Sequence, residues 1–248
     1  MTISIKTPEE IAIMAQAGQI LAKIIRRLKA EVKPGLTTQE LDKLAEELIL
    51  KSGAKPAFKG YRGFPASLCT SINEQIVHAV PSKRKLNEGD ILSLDLGIIY
   101  QGFYSDMAVT LPIGSVSPEV RQLIQVTKKA LIKAMARVKP GKTIGDISFA
   151  IQKHVEADGF QVVRQLCGHG IGRQLHEKPD IPNFGQPHKG PELKTGMVLA
   201  IEPMVVIGQP GIKKAPNGFA YYTADNSLSA HFEHTVAIIS QGAQILTE

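Results

Sequence analysis

The chain has 248 residues, 43% of them hydrophobic, enough to bury a sizeable core in one large domain or two small ones. No apolar run approaches the about 18 residues that span a bilayer, the stretch from Met1 to Pro8 lacks a basic-then-apolar signal pattern, and Cys69 and Cys167 are too few for a disulfide framework, so a reducing, cytoplasmic setting without membrane contact is expected. The 29 basic and 23 acidic side chains leave a net +6 in scattered clusters such as Lys83-Arg84-Lys85 and Lys213-Lys214, which suits a solvated surface or an acidic partner such as RNA; without zinc-finger spacing or an aromatic-rich RNA-binding pattern, specific DNA or RNA reading is not expected.

Thr7 and Pro8 open the first element as a cap and a proline at the first helical position, and the amphipathic helix they begin runs toward Val32-Lys33-Pro34-Gly35. Thr37, with Glu40 three residues on, caps a second helix that stops at Gly53. His78-x-x-Pro81 and Leu86-x-x-Gly89 precede a short apolar run, Ile91 to Leu96, suited to a buried strand carrying Asp95. The chain then returns through Tyr100-Gln101-Gly102 to Asp106 as a hairpin.

The same grammar starts again after about residue 115. Ser117-Pro118 opens a helix toward Val138-Lys139-Pro140-Gly141, which repeats the first VKPG at an offset of 106. Thr143 with Asp146 caps the next helix, Gly159 stops it, and His176-x-x-Pro179 and Leu193-x-x-Gly196 follow. The run Met197 to Glu202 carries its carboxylate six residues after the glycine, as Asp95 does after Gly89, and a longer Gly- and Pro-containing return, Gly208 to Gly218, leads to Glu233. The expected architecture is α+β and internally duplicated: a single catalytic domain, 1–248, whose helix-helix-hairpin halves, roughly 1–115 and 116–248, are related by a pseudo-twofold axis, with helices outside and the acids in a central cleft.

Four acids in apolar segments need compensation, because a buried carboxylate is expensive unless paired or metal-bound. The apolar segments around them hold no lysine or arginine, whereas Gly168-His169-Gly170-Ile171-Gly172 presents an imidazole on a tightly turning backbone. Asp95, Asp106, His169, Glu202 and Glu233 exceed the needs of one tetrahedral ion and suit two divalent ions, with Mn, Fe, Co or Zn favoured by the oxygen-rich set. Competing chemistries lack their signatures: no GxSxG elbow, no P-loop, Asp180 where a zincin helix after His176-Glu177 needs histidine, and no nucleophile motif at either cysteine.

The segment from Cys69 through Ser71-Ile72-Asn73-Glu74 to His78, with GHGIG, Leu175-His176-Glu177, Ile201-Glu202-Pro203 and Ser229-Ala230-His231-Phe232-Glu233-His234-Thr235, resembles the methionine aminopeptidases, in their bacterial type I form, nearly end to end. The resemblance implies the pita-bread fold, two divalent ions on the five residues above, bridging roles for Asp106 and Glu233, and removal of the initiator methionine from nascent chains when the second residue is small. It further implies that Glu202 moves a proton, His176 stabilises the tetrahedral oxyanion, His78 positions the substrate, and Tyr61, Phe64, Cys69, His78 and Phe219 line the methionine pocket. Phe219 and Phe64 stand where relatives often carry tryptophan and tyrosine, so the pocket has its own shape. A monomer with transient ribosome contact through the basic surface is expected; a prolidase-like hydrolase and a non-catalytic binding module are the rival readings.

Overall fold

The computed structural model describes residues 2–248; Met1 of the expected 1–248 domain lies outside them. The first half opens with α1 (Pro8–Glu31) and α2 (Thr38–Lys51), each on a complete capping box, Thr7 with Glu10 and Thr37 with Glu40. Next come β1 (Lys55–Pro56), β2 (Leu68–Ile72), β3 (Gln75–Val77), β4 (Ile91–Tyr100) and β5 (Phe103–Pro112). The second half opens with α3 (Pro118–Met135), capped by Ser117, and α4 (Ile144–Ala157), capped by Thr143 with Asp146. It continues through β6 (Gln161–Val162), β7 (Cys167–Gly170), β8 (Glu177–Pro182), β9 (Val198–Ile201), β10 (Met204–Val206), β11 (Ile212–Lys214), β12 (Tyr221–Thr223), β13 (Ser229–His231), β14 (Glu233–Ile239) and β15 (Gly242–Ile245).

The duplication read from VKPG is also a duplication of contacts. Gly35 N–H donates to the Leu86 carbonyl at 2.8 Å, and Gly141 N–H to the Leu193 carbonyl at 3.1 Å. Thr37 bridges to Lys85 as Thr143 bridges to Glu192. Both glycines take positive φ, 88° and 80°, a conformation that other residues adopt only with strain.

One nine-stranded sheet joins the halves in the order β1-β4-β5-β14-β9-β7-β8, with β2 also on β4 and β15 on β14. The two long antiparallel pairs, β4–β5 and β9–β14, meet where β5 pairs β14, the place of the expected pseudo-twofold. The first pair is the expected tight hairpin, turning at Gln101 and Gly102 with φ of 48° and 82°. The second return is not a hairpin: between β9 and β14 the chain builds β10 to β13, which enter two separate three-stranded sheets, β13-β10-β6 and β11-β12-β3. Glu202 also falls just beyond β9, because Pro203 has no N–H to continue the ladder.

Strand alternation separates the two faces of the sheet. Leu92, Leu94, Leu96, Met107, Val109, Leu199, Ile201, Val236 and Ile238 join the main core with the apolar stripes of the helices. α1 packs on β4 and β5, and α3 reaches β5, β9 and β14. The opposite face carries small residues, Gly97, Ala108 and Ala200, where the main core side has leucine and valine. That difference in volume leaves room for a cleft. Among the described residues no helix is long and apolar enough to cross a membrane.

Candidate metal centre

Register alone puts the acids on the open face. Asp95 lies opposite Ala108, which also lies opposite Glu233 on the other side, so these three residues share a face, and Asp106 shares it two residues before Ala108. His169 lies opposite Ala200, itself opposite Thr235, two residues from Glu233. Glu202 follows Ala200 by two. One atom each from Asp106, His169 and Glu233 come within 4.8 Å of one another.

All the sequence-chosen residues line one cavity of about 360 Å³: the five candidate ligands together with His78, His176, Tyr61, Phe64, Cys69 and Phe219. Sequence reasoning did not assign Arg62, Lys214 or Tyr221, which line it too, nor His231, whose Nε2 lies 3.3 Å from Glu202 Oε2 behind the site. His231 stands within the quoted SAHFEHT motif, so a signal existed; Arg62 and Lys214 carried only the generic signal of surface charge.

Several contacts hold the centre rigid. Thr235 Oγ1 accepts from Asp106 N–H at 3.0 Å and donates to the Asp106 carbonyl at 2.8 Å, pinning the backbone of the acid. His169 Nδ1–H donates to the Gly170 carbonyl at 2.9 Å, which leaves the lone pair on Nε2, 3.7 Å from Glu202 Oε1. Tyr61 OH lies 2.8 Å from His176 Nδ1, and the His169 and His176 rings are 4.3 Å apart. His78 sits at φ 59°, in the left-handed region that few side-chain-bearing residues adopt.

The electrostatics of this cluster favour a cation in place of the protons that its carboxyls otherwise hold. Burial, then the neighbouring charges, carries the carboxyls of Asp95 and Glu233 well above their ordinary range. Burial, with the charge of Glu202, pushes Asp106 up to about 7, and burial pushes Glu202 up to about 8. Burial pushes His169 and His231 down to about 3 and His78 and His176 down to about 4, so the imidazoles are neutral and cannot neutralise the acids at pH 7. Asp95 Oδ1 and Glu233 Oε1 are buried without a hydrogen-bond partner among the described residues. Oriented carboxylates, orphaned oxygens and a histidine with its lone pair free are the donor set a divalent cation takes, and the residues fit such a centre.

The model of metallopeptidase family M24 matches residues 12–240. The chain belongs to that family. It is 49% identical over 245 residues to a methionine aminopeptidase of Clostridium perfringens, covering 99% of this chain and 98% of the relative. It is 48% identical over 242 residues to methionine aminopeptidase 1 of Bacillus subtilis, covering 98% of each. The crystal structure of methionine aminopeptidase from Thermotoga maritima superposes with a TM-score of 0.98 at 46% identity, each chain fully covered. An M24 metallopeptidase is a divalent-metal hydrolase, and the pita-bread architecture that the resemblance implied, consistent with the duplication, is the fold these structures share.

The surroundings of Cys69 disfavour a nucleophile. It is buried, and burial followed by the charge of Asp95 pushes its thiol well up, away from the thiolate. It lies opposite Asp95 and serves as apolar lining.

Proposed function

We propose that this chain is a methionine aminopeptidase that removes the initiator methionine from new polypeptides when the second residue is small. The observation that carries the reading is the placement of an apolar slot directly beside the acidic centre within one cavity. Phe64 and Phe219 meet edge to face, 5.5 Å apart at 85°, beside Tyr61 and the neutral Cys69, a lining suited to a flexible thioether.

In this reading Asp95, Asp106, His169, Glu202 and Glu233 would hold two divalent ions, with Asp106 and Glu233 in the shared positions that the resemblance implies. When bound, the ions supply positive charge that polarises the scissile carbonyl and makes water nucleophilic at neutral pH; Mn, Fe, Co and Zn all suit the donors. Glu202 takes the proton from the attacking water and delivers it to the leaving amine. With the Tyr61 hydroxyl donating to Nδ1, neutral His176 keeps its proton on Nε2 and donates it to the tetrahedral oxyanion. His78, held at its left-handed φ, orients the scissile amide.

The test uses metal-free protein given back Mn or Co, with release of methionine followed from Met-Ala-Ser beside Leu-Ala-Ser and a Glu202→Ala variant. Release of methionine alone, dependent on metal and abolished in the variant, is expected; folded protein inert with every metal returns the chain to the binding-module reading. The same proposal puts a monomeric enzyme in the cytoplasm beside the ribosome, its net +6 surface meeting RNA transiently. Co-sedimentation with ribosomes that is unchanged at high salt would count against that contact.

A further inference from the structure

Each of the two histidines proposed to handle the scissile amide is backed by a tyrosine, and each tyrosine carries a cation. On one wall the Arg62 guanidinium carbon lies 5.3 Å from the Tyr61 ring, and the Tyr61 hydroxyl meets His176 at 2.8 Å. On the other, Lys214 Nζ lies 5.6 Å from the Tyr221 ring, which stands 6.0 Å from the ring of His78 at 66°. The walls come from unrelated elements, the short 3-10 turn Tyr61–Gly63 and the β11–β12 pair, and both cations line the cavity.

Both side chains are exposed, and neither joins an ion pair among the described residues. Arg62 is held at φ 48° between Gly60 and Gly63, themselves at 85° and 82°, so the turn fixes where its backbone projects. Each cation lies over a ring that lines the cavity, so the positive charge sits on the cavity wall beside His176 and His78. The cavity thus carries its acids, with the metal site, at one end and unpaired basic side chains at its rim.

A peptide whose first amide lies between His78 and His176 must run outward past that rim. We propose that Arg62 and Lys214 are specificity-determining residues that select polypeptides with acidic side chains shortly after the small second residue and disfavour basic ones. The proposal rests on the aminopeptidase reading for its direction of travel. The sequence neighbour of Lys214, Lys213, is held aside by donating to Asn226 Oδ1 at 2.6 Å and does not line the cavity.

The experiment compares kcat/KM on Met-Ala-Asp-Asp, Met-Ala-Asn-Asn and Met-Ala-Lys-Lys for the wild type, Arg62→Gln, Lys214→Gln and the double variant. Exposed charge pairs contribute modestly, so the acidic peptide is expected to exceed the basic one by about tenfold at low salt, each single variant removing part of the ratio and the double variant bringing it near one. In about 1 M salt, where charges are screened within a few ångströms, the wild-type ratio should also approach one. Equal rates for the three peptides, or a preference that survives the double variant or high salt, overturns the proposal. A second arm measures the affinity of the same peptides, labelled at their C-termini, for the Glu202→Ala protein by fluorescence anisotropy. Should no peptide be cleaved, the aminopeptidase reading fails, while a graded affinity lost in a triple variant with Arg62→Gln and Lys214→Gln still supports the rim, and equal affinities overturn it.

Discussion

Asp106→Asn separates the metal-loaded from the metal-free protein. The Asp106 carboxyl moves from an ordinary 3.8 to about 7 through burial and the charge of Glu202. A carboxyl raised on folding binds more protons in the native state than in the unfolded state between those two values, so native stability falls as pH rises through that window and stays low above it. At about 1.4 kcal/mol for each tenfold change, the metal-free protein at pH 8 is destabilised at this residue by about 4 kcal/mol, and at pH 5 by less than half of that. Asparagine keeps the shape and removes the charge. The metal-free variant is therefore expected to unfold at a higher temperature than wild type at pH 8, by on the order of 10 °C for a chain of this size, with a smaller gain at pH 5. Added Mn should raise the wild-type midpoint strongly and the variant midpoint much less. Circular dichroism melts of both proteins at the two pH values, with and without Mn, provide the measurement. A metal-free variant that melts below wild type at pH 8, or that gains as much from Mn as wild type does, refutes the view of a charge-frustrated centre completed by a cation.

Tyr61→Phe removes the hydroxyl that fixes His176 Nδ1 at 2.8 Å; with about 1 kcal/mol for such a bond, kcat should fall roughly five- to tenfold with KM little changed, measured on a tripeptide series. Gly168→Ala would place a Cβ 2.5 Å from the Ala200 carbonyl, forcing β7 from β9 and displacing His169; Mn affinity by calorimetry should drop at least about tenfold. Lys6→Met leaves Glu177, its half-buried partner at 2.6 Å, with the Gln174 N–H at 3.1 Å as its remaining bond, so thermal unfolding should show a loss of about 1–3 kcal/mol that a Lys6→Met, Glu177→Leu pair largely restores. If the single variant melts like wild type, the ion pair carries no such weight.

The elements most legible in the sequence were those set by neighbouring residues. Thr7, Thr37 and Thr143 start helices because each side chain reaches an N–H three residues on, an event contained within one turn. Asp95 and Asp106 were legible because a charge in an apolar strand demands an explanation, and the VKPG repeat supplied a second, equivalent set. The long return between β9 and β14 was not: β10 and β12 are three residues each, and their partners β6 and β3 lie far away in the chain, so no local period announces them. Nor could spacing reveal that His231 stands behind Glu202, since that contact depends on where the chain re-enters after Phe232.

Duplication also explains why so unfavourable a cluster is tolerated. Each half could place two acids by its own strand pair, but only the β5–β14 seam brings the pairs together, and the repulsion appears only when both halves are folded. Behind that seam lies the apolar face packed under α1 and α3, whose leucines, isoleucines and valines bury enough surface to hold the acids in place before any cation arrives. A preformed cluster of this kind makes metal affinity and fold stability two readings of one free energy: whatever strain the carboxylates impose on the empty fold is released on binding, and so adds to the affinity. The single imidazole among the proposed ligands fits this arrangement. His169 enters from β7 in the second half alone, and its neutral Nε2 adds a donor without adding to the negative charge the sheet must hold.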